Sequence, residues 1–334
     1  MGIDLKDFKV VDLFSGCGGF SLGLQNAGFN VVAGFDNWEA AIEVYQKNFS
    51  HPVFAVDLEK LPGDYDCIRE FQPSIIVGGP PCQDFSSAGK RDESLGRGDL
   101  TMTFAKIVTD LKPRFFIMEN VDRFVKSEKY QEAKKVFELA GYGLTEKIVN
   151  ASFCGVPQNR KRFFWIGDIN GKHQQIEFYL DKNMSKKAMT IRQYFNQINK
   201  PLNFEHYYRH PRSYKRRGVF SVDDPSPTVR GVNRPIPKTY RSHSGDSALI
   251  TSAIRPLTTL ERSYLQTFPE NFIFTGSKTD IEQMIGNAVP VKLAEYVARC
   301  LVEYIVDRDL QDSNQFAQFK QTSQNFIQLS LLEI

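Results

Sequence analysis

The chain has 334 residues, 41% of them apolar and 24% charged, with a net charge of +3. That composition excludes a disordered or fibrous chain and suits one large domain with a smaller partner. The five cysteines are scattered without a CxxC pair and the five histidines lack metal-ligand spacing, so a disulfide scaffold is excluded, no metal site is expected, and a reducing compartment is.

The opening MGIDLKDFKVVDLF lacks the basic start and long apolar run of a secretory leader, and no apolar run is long enough to span a bilayer. The expectation is a cytoplasmic protein without a membrane partner. Phe8 to Phe14 reads as a buried strand ending in DLFSGCGGFSLGL, residues 12–24. A strand, a glycine turn and an amphipathic helix open a Rossmann-like nucleotide site, in which Gly16, Gly18 and Gly19 let the backbone approach a ligand. NAD, FAD and S-adenosylmethionine enzymes share such a turn. A second strand, Asn30 to Phe35, ends on Asp36, placed about 20 residues beyond the glycines to accept from ribose hydroxyls. After a helix over Trp38 to Asn48, a short strand ends near Asp57, an acceptor for an adenine amino group; each acid alone reads equally as a helix cap.

Ser74 to Val77 is a fourth strand, and it runs into GGPPCQDFSSAG, residues 78–89. Gly78 and Gly79 permit close backbone approach, while Pro80 and Pro81 stiffen the turn that delivers Cys82. A thiol at the carboxyl end of a parallel strand lies where open α/β folds put their chemistry. The plainer alternative is a small buried cysteine beside a proline turn. The polar stretch Gly89 to Asp99 reads as a loop that closes over substrate. A helix over Leu100 to Leu111 leads to a fifth strand, Arg114 to Met118, which puts Glu119 at the same sheet edge as Cys82. A helix around Tyr130 to Ala140 and a strand pair, Leu144–Asn150 and Arg162–Asp168, complete the body. In GVPQNRKR, residues 155–162, Arg160 and Arg162 alternate and are expected to share one face of an extended segment.

From about Gly171 the alternation fades into a loop-like, proline-punctuated segment in which tyrosines mix with Arg and Lys. Residues 200–250 carry ten Lys/Arg against four Asp/Glu, a local +6 on a body of −3. That imbalance suits a polyanion-binding module, although a solvated basic face reads equally well from charge alone. Regular structure returns at Thr258 to Phe268, and Pro290 starts a long amphipathic helix to about Asp307.

Six blocks in this order, DLFSGCGG (12–19), GGPPCQDFS (78–86), ENV (119–121), QNRKR (158–162), RPLTTLERSYLQTFPENF (255–272) and GNAVP (286–290), resemble the bacterial cytosine-5 DNA methyltransferases over residues 8–307. The resemblance implies an α/β fold: a Rossmann-like S-adenosylmethionine-dependent methyltransferase domain with a smaller inserted target-recognition domain. Residues 1–175 and 275–310 would form the catalytic domain, 176–274 the recognition domain, and 311–334 a tail without an assigned role. It implies Cys82 as the nucleophile at carbon 6 of a cytosine, which makes carbon 5 enamine-like and able to take a sulfonium methyl group. Glu119 would share a proton with ring nitrogen 3, Arg162 would contact the ring carbonyl, and Arg160 would stand close by.

The methyl donor would be S-adenosyl-L-methionine, leaving as S-adenosyl-L-homocysteine, with no metal. Phe14, Gly16, Cys17, Gly18, Gly19, Asp36, Asn37, Asp57, Leu58, Pro81, Leu100, Asn287 and Val289 would border it. Two departures stand out: Asp36 replaces the family's usual Glu at the ribose, and Asn37 replaces an apolar or aromatic residue, with Trp38 one position later. The cytosine must be flipped from the duplex. Gln83, Ser86 and Arg97 near the turn, and Arg216, Arg217, Thr228, Arg230 and Arg234 in the basic segment, are the expected DNA contacts. The partners implied are double-stranded DNA and a separately encoded restriction endonuclease, with a monomer as the default. Three rivals are a tRNA cytosine-5 methyltransferase using the same side chains, a catalytically silent DNA-binding subunit, and an NAD-linked oxidoreductase sharing only the glycine turn.

Overall fold

The computed structural model describes residues 4–61, 63–81, 100–213 and 215–309. Cys82, Gln83, Ser86, Arg97 and the 311–334 tail lie outside the described residues. The body is a seven-stranded sheet in the order β3-β2-β1-β4-β5-β8-β6. Its strands are β1 Lys9–Leu13, β2 Asn30–Asp36, β3 Val53–Ala55, β4 Ile75–Gly78, β5 Phe115–Val121, β6 Tyr142–Asn150 and β8 Lys161–Ile169. The first five are parallel, and β8 runs antiparallel between β5 and β6.

Alternation along each strand divides the core in two. Val10, Ile75, Val77, Phe115, Ile117, Phe164 and Ile166 face one side, against helix α1 (Gly19–Asn26) and the helix over 291–309, here α10. Val11, Leu13, Phe35, Ile76, Phe116, Met118, Phe163 and Trp165 face the other, against α4 (Leu100–Leu111) and α5 (Glu128–Leu139). Between them lie α2 (Glu39–Asn48) and the one-turn α3 (Asp66–Arg69). The last helix does return beside the first strand: Leu293, Ala294, Val297 and Leu301 share the core of Val10. Tyr304 and Arg308 then both reach the buried Asp168 of β8.

Register sets the site. Phe35, Leu13, Gly78, Met118 and Trp165 are successive partners across five strands. Asp36 of β2 and Glu119 of β5 lie one residue beyond that row, as do Phe14 and Gly79, which directly follow β1 and β4. Glu119 is inside β5 rather than after it, because pairing with β8 carries the strand on to Val121.

The segment after residue 171 holds more helix than expected from its sequence: α6 Glu177–Lys182 and α7 Ile191–Gln197. Ile176 and Leu180 of the first bury on the sheet's first face, so this stretch packs as part of the body. Thr190 and Gln193 close a capping box that starts the second. A third core then joins Ile191, Tyr194 and Phe195 to Tyr207, Phe220, Val229, Leu257, Tyr264 and Ile285. It gathers the hairpin of β9 (His206–Tyr208) and β10 (Val219–Ser221) with α8 (Thr259–Leu265) and one side of α9 (Lys278–Asn287). The smaller region is stitched to the body by a parallel pair, β11 (Ser226–Pro227) with β7 (Gln158–Asn159).

Candidate active site

Glu119 and Arg162 meet because of how β5 and β8 pair. Arg162 lies opposite Val121, so it is the diagonal neighbour of Glu119 on one face of the ladder. Arg162 Nε stands 2.6 Å from Glu119 Oε1, and both side chains are largely buried. The guanidinium is close but poorly aligned, so Oε1 accepts no hydrogen bond among the described residues. A Cβ added to Gly79 would lie 3.4 Å from Glu119 Oε2. The carboxylate therefore faces the turn that continues through the buried Pro80 and exposed Pro81 towards Cys82.

Arg160 lies near enough to Arg162 and Glu119 for their charges to act on it, yet its guanidinium is spent on main-chain carbonyls. The chain bends between β7 and β8, where the Arg160 amide donates to Gln158 O, and the alternation expected of an extended run is broken. Arg160 Nη1 donates to the carbonyls of Val229 (3.3 Å) and Gly286 (3.2 Å), and Nη2 to that of Ala288 (3.2 Å). Two buried amides extend this hub. Gln158 Nε2 donates to Gln266 Oε1 at 2.7 Å while its Oε1 accepts from Val229 N at 2.8 Å, and Gln266 Nε2 donates to the carbonyls of Ile285 and Ala288. Thr228 adds its hydroxyl to Asn159 O at 3.0 Å. QNRKR, TVRG, LQTFP and GNAVP thus converge on one junction between body and smaller region. The glycine of GNAVP is required there, since a Cβ on Gly286 would overlap the main chain of Arg230 and Gly231.

At the glycine turn, Phe14, Gly16 and Gly18 all have positive φ (58°, 53° and 93°). Among the described residues, a Cβ on Gly16 would meet nothing within 4 Å, so the turn is open at this point. At Gly18 and Gly19 the absent Cβ instead makes room for protein: the Phe49 and Tyr45 rings at one, Val289 O and Ala288 at the other. Asp36 ties the turn together, its Oδ2 accepting from Gly16 N at 2.7 Å and its Oδ1 from Trp38 N at 2.8 Å. Burial raises the Asp36 carboxyl above the usual range, against those two bonds. Burial likewise pushes the Cys17 thiol up to about 12, so it stays protonated beside the turn. Asp57 caps the following helical turn through Glu59 N and pairs with Lys60 Nζ at 2.9 Å. Asn37, Pro81 and Asn287 are exposed, Leu100 is half-buried, and Leu58 and Val289 are buried. The open turn and its adjacent carboxylate fit an adenosine-bearing ligand.

The smaller region carries a crowded set of cations. Arg209 donates to Thr228 O at 2.6 Å, and Arg230 donates to His210 O, so the two lace their segments reciprocally. Arg262 pairs with Glu282 and donates to Arg230 O. Burial, then the neighbouring Arg230, holds Arg209 down to about 9. Arg230 Nε is buried without a partner among the described residues. Arg216, Arg217 and Arg234 are exposed, with Arg217 stacked 4.5 Å over the Phe220 ring. Arg209 and Arg262 were not singled out in the sequence, although Arg262 lies inside the block 255–272. Among the described residues no helix is long and apolar enough to cross a membrane, and no group of His, Cys, Asp or Glu is arranged to hold a metal.

Comparison with known proteins places this geometry. The model of the C-5 cytosine-specific DNA methylase family matches residues 8–303. The chain is 55% identical to the Type II methyltransferase M.HindV of Haemophilus influenzae, over 89% of this chain and 97% of that protein. It is 52% identical to the Type II methyltransferase M.HgiDI of Herpetosiphon aurantiacus, over 89% and 95%. The structure of S. pombe Dnmt2 methyltransferase superposes with a TM-score of 0.66 at 19% identity, covering 89% of this chain and 99% of that one, a likeness of fold. The chain belongs to the C-5 cytosine-specific DNA methylase family and is a DNA cytosine-5 methyltransferase.

Proposed function

We propose that the enzyme methylates a cytosine flipped out of one specific duplex sequence, through a covalent bond from Cys82 to carbon 6. The observation that carries this reading is the Glu119–Arg162 pair, whose carboxylate faces Gly79, three residues before Cys82. The Cys82 thiolate adds to carbon 6 while Glu119 shares a proton with ring nitrogen 3, and Arg162 donates to the ring carbonyl. Carbon 5 then takes the methyl group, gives up its proton to a base, and the Cys82 thiolate departs. S-adenosyl-L-methionine, the donor that the family implies, supplies an electrophilic methyl group on a sulfonium. The open turn at Gly16 would receive it, with Asp36 at the ribose and Asp57 at the adenine amino group.

DNA would bind along the smaller region, residues 176–274, with the exposed Arg216, Arg217 and Arg234 at phosphates. Among the described residues, the crowded Arg209, Arg230 and Arg262 have one directly paired acid between them, Glu282 on Arg262, and so favour an acceptor-rich partner. The names of two Type II relatives favour a role in protecting DNA alongside a separately encoded restriction endonuclease, and the methyltransferase would act as a monomer. The test is transfer of a labelled methyl group from the donor to duplex DNA and, in parallel, to a tRNA pool. After digestion to nucleosides the label is expected in 5-methyldeoxycytidine. Label in RNA alone would overturn the DNA reading.

A further inference from the structure

Beneath the glycine turn runs a chain of buried polar groups that the proposed chemistry does not use. Asp12 of β1 is 1% exposed, and its Oδ2 accepts from Ser21 Oγ of α1 at 2.6 Å. Ser21 Oγ lies 2.7 Å from Tyr45 OH of α2, and Tyr45 OH lies 2.7 Å from His51 Nε2. His51 Nδ1 faces Gln25 Nε2 at 3.4 Å. Proton counting fixes the direction of this chain. With the Asp12 carboxyl ionised, Ser21 gives its one hydroxyl hydrogen to Asp12, so Tyr45 must donate to Ser21. Tyr45 then has none left, so His51 must donate from Nε2. That leaves Nδ1 as an acceptor, and an acceptor is what the Gln25 amide requires. Both ends demand the same tautomer. A protonated His51 would set an N–H against the Gln25 N–H; burial in fact lowers its pKa to about 4.

The chain is wired to the turn by packing as well. A Cβ on Gly34 would lie 3.0 Å from Tyr45 OH and 3.1 Å from Ser15 Oγ. The space beside Gly18 is filled by the Phe49 and Tyr45 rings. Tyr45 therefore supports the two glycines that bring β1, β2 and α1 together around Gly16, while its hydroxyl links α1 to the residues after α2.

We propose that Ser21, Tyr45 and His51 are positioning residues for the methyl donor: their one-way hydrogen-bond chain holds the turn of residues 14–19 in the shape that binds it. The proposal rests on the reading of that turn as the donor site. Tyr45→Phe keeps the ring and cuts the chain twice. His51→Leu removes the terminal donor, and His51→Gln restores an N–H that can reach Tyr45. The probe is S-adenosyl-L-homocysteine, titrated calorimetrically into the full-length protein. Binding is expected to weaken about fivefold to tenfold in Tyr45→Phe and His51→Leu and to stay within about twofold of wild type in His51→Gln. With saturating donor and DNA, kcat is expected to stay within about twofold in all three while KM for the donor follows the affinity. Equal affinity in all four proteins would overturn the proposal, as would a loss in His51→Gln matching that in His51→Leu. A wild-type protein that fails to bind the probe would instead overturn the reading of the turn as the donor site.

Discussion

Replacing Arg160 with Met separates two accounts of that side chain. Arg160 is 2% exposed and donates to three carbonyls, those of Val229, Gly286 and Ala288. Methionine fills the volume of the stem and donates nothing. Ala288 O keeps its bond from Gln266 Nε2 at 3.0 Å, whereas the other two carbonyls lose the donor described for them. An orphaned buried acceptor costs about 1–3 kcal/mol, so two cost about 2–6 kcal/mol. Removing a buried cation, whose pKa burial holds well below the ordinary value, offsets part of this. We expect a net loss of about 2–4 kcal/mol, a large share of the usual stability of a folded protein. Urea unfolding of the full chain measures it as a lower midpoint at unchanged slope. Arg160→Lys keeps the charge without the planar fork and should also lose stability, by about half as much. A Met variant within about 0.5 kcal/mol of wild type that has lost most of its turnover would refute the hub and return Arg160 to the reacting atoms.

Other variants probe the neighbouring parts. Glu119→Gln should slow single-turnover methyl transfer by about 10²–10³-fold, with DNA and S-adenosyl-L-homocysteine binding little changed. Gly286→Ala drives a Cβ into the main chain of Arg230 and Gly231, and should cost about 1–3 kcal/mol together with DNA affinity, read by urea unfolding and by a binding titration. Burial raises the Asp12 carboxyl to about 7 from 3.8, so its contribution to stability is fully present below the unfolded value and is lost as pH rises through about 7. Asp12→Asn should therefore gain on wild type by about 4 kcal/mol between pH 4 and pH 8, measured as the difference between their unfolding free energies.

Strands β2, β4 and β5 were legible because each is a short apolar run that meets an acid or a glycine, and burial on both faces of a parallel sheet demands that pattern; the short β7, β9, β10 and β11 were not read. The glycine turn, Asp36 and Glu119 were legible for the same reason: each follows an apolar run, although β5 continues through Glu119 to Val121. The carbonyl contacts of Arg160 were not legible because alternation assumes an unbroken strand, and the chain bends at Gln158–Arg160. The roles of Gly18 and Gly19 were read as room for a ligand, and the atoms that occupy that room come from Phe49 and Val289, far along the chain. The hub and the chain from Asp12 to His51 were invisible for a shared cause. Their members are joined across 6 to 128 residues, and polar contacts at such separations leave no periodicity to read. Helices α6 and α7 escaped notice because each is under two turns long, too short for a 3.6-residue pattern to repeat.

The central claim is that Cys82 forms the covalent bond to cytosine, and one trap tests it directly. Duplex DNA carrying 5-fluorocytosine is incubated with the protein and S-adenosyl-L-methionine, because fluorine at carbon 5 cannot leave as a proton and so holds the adduct. The account predicts a denaturant-stable protein–DNA complex with wild type and none with Cys82→Ser. A complex that forms equally well with Cys82→Ser would contradict it.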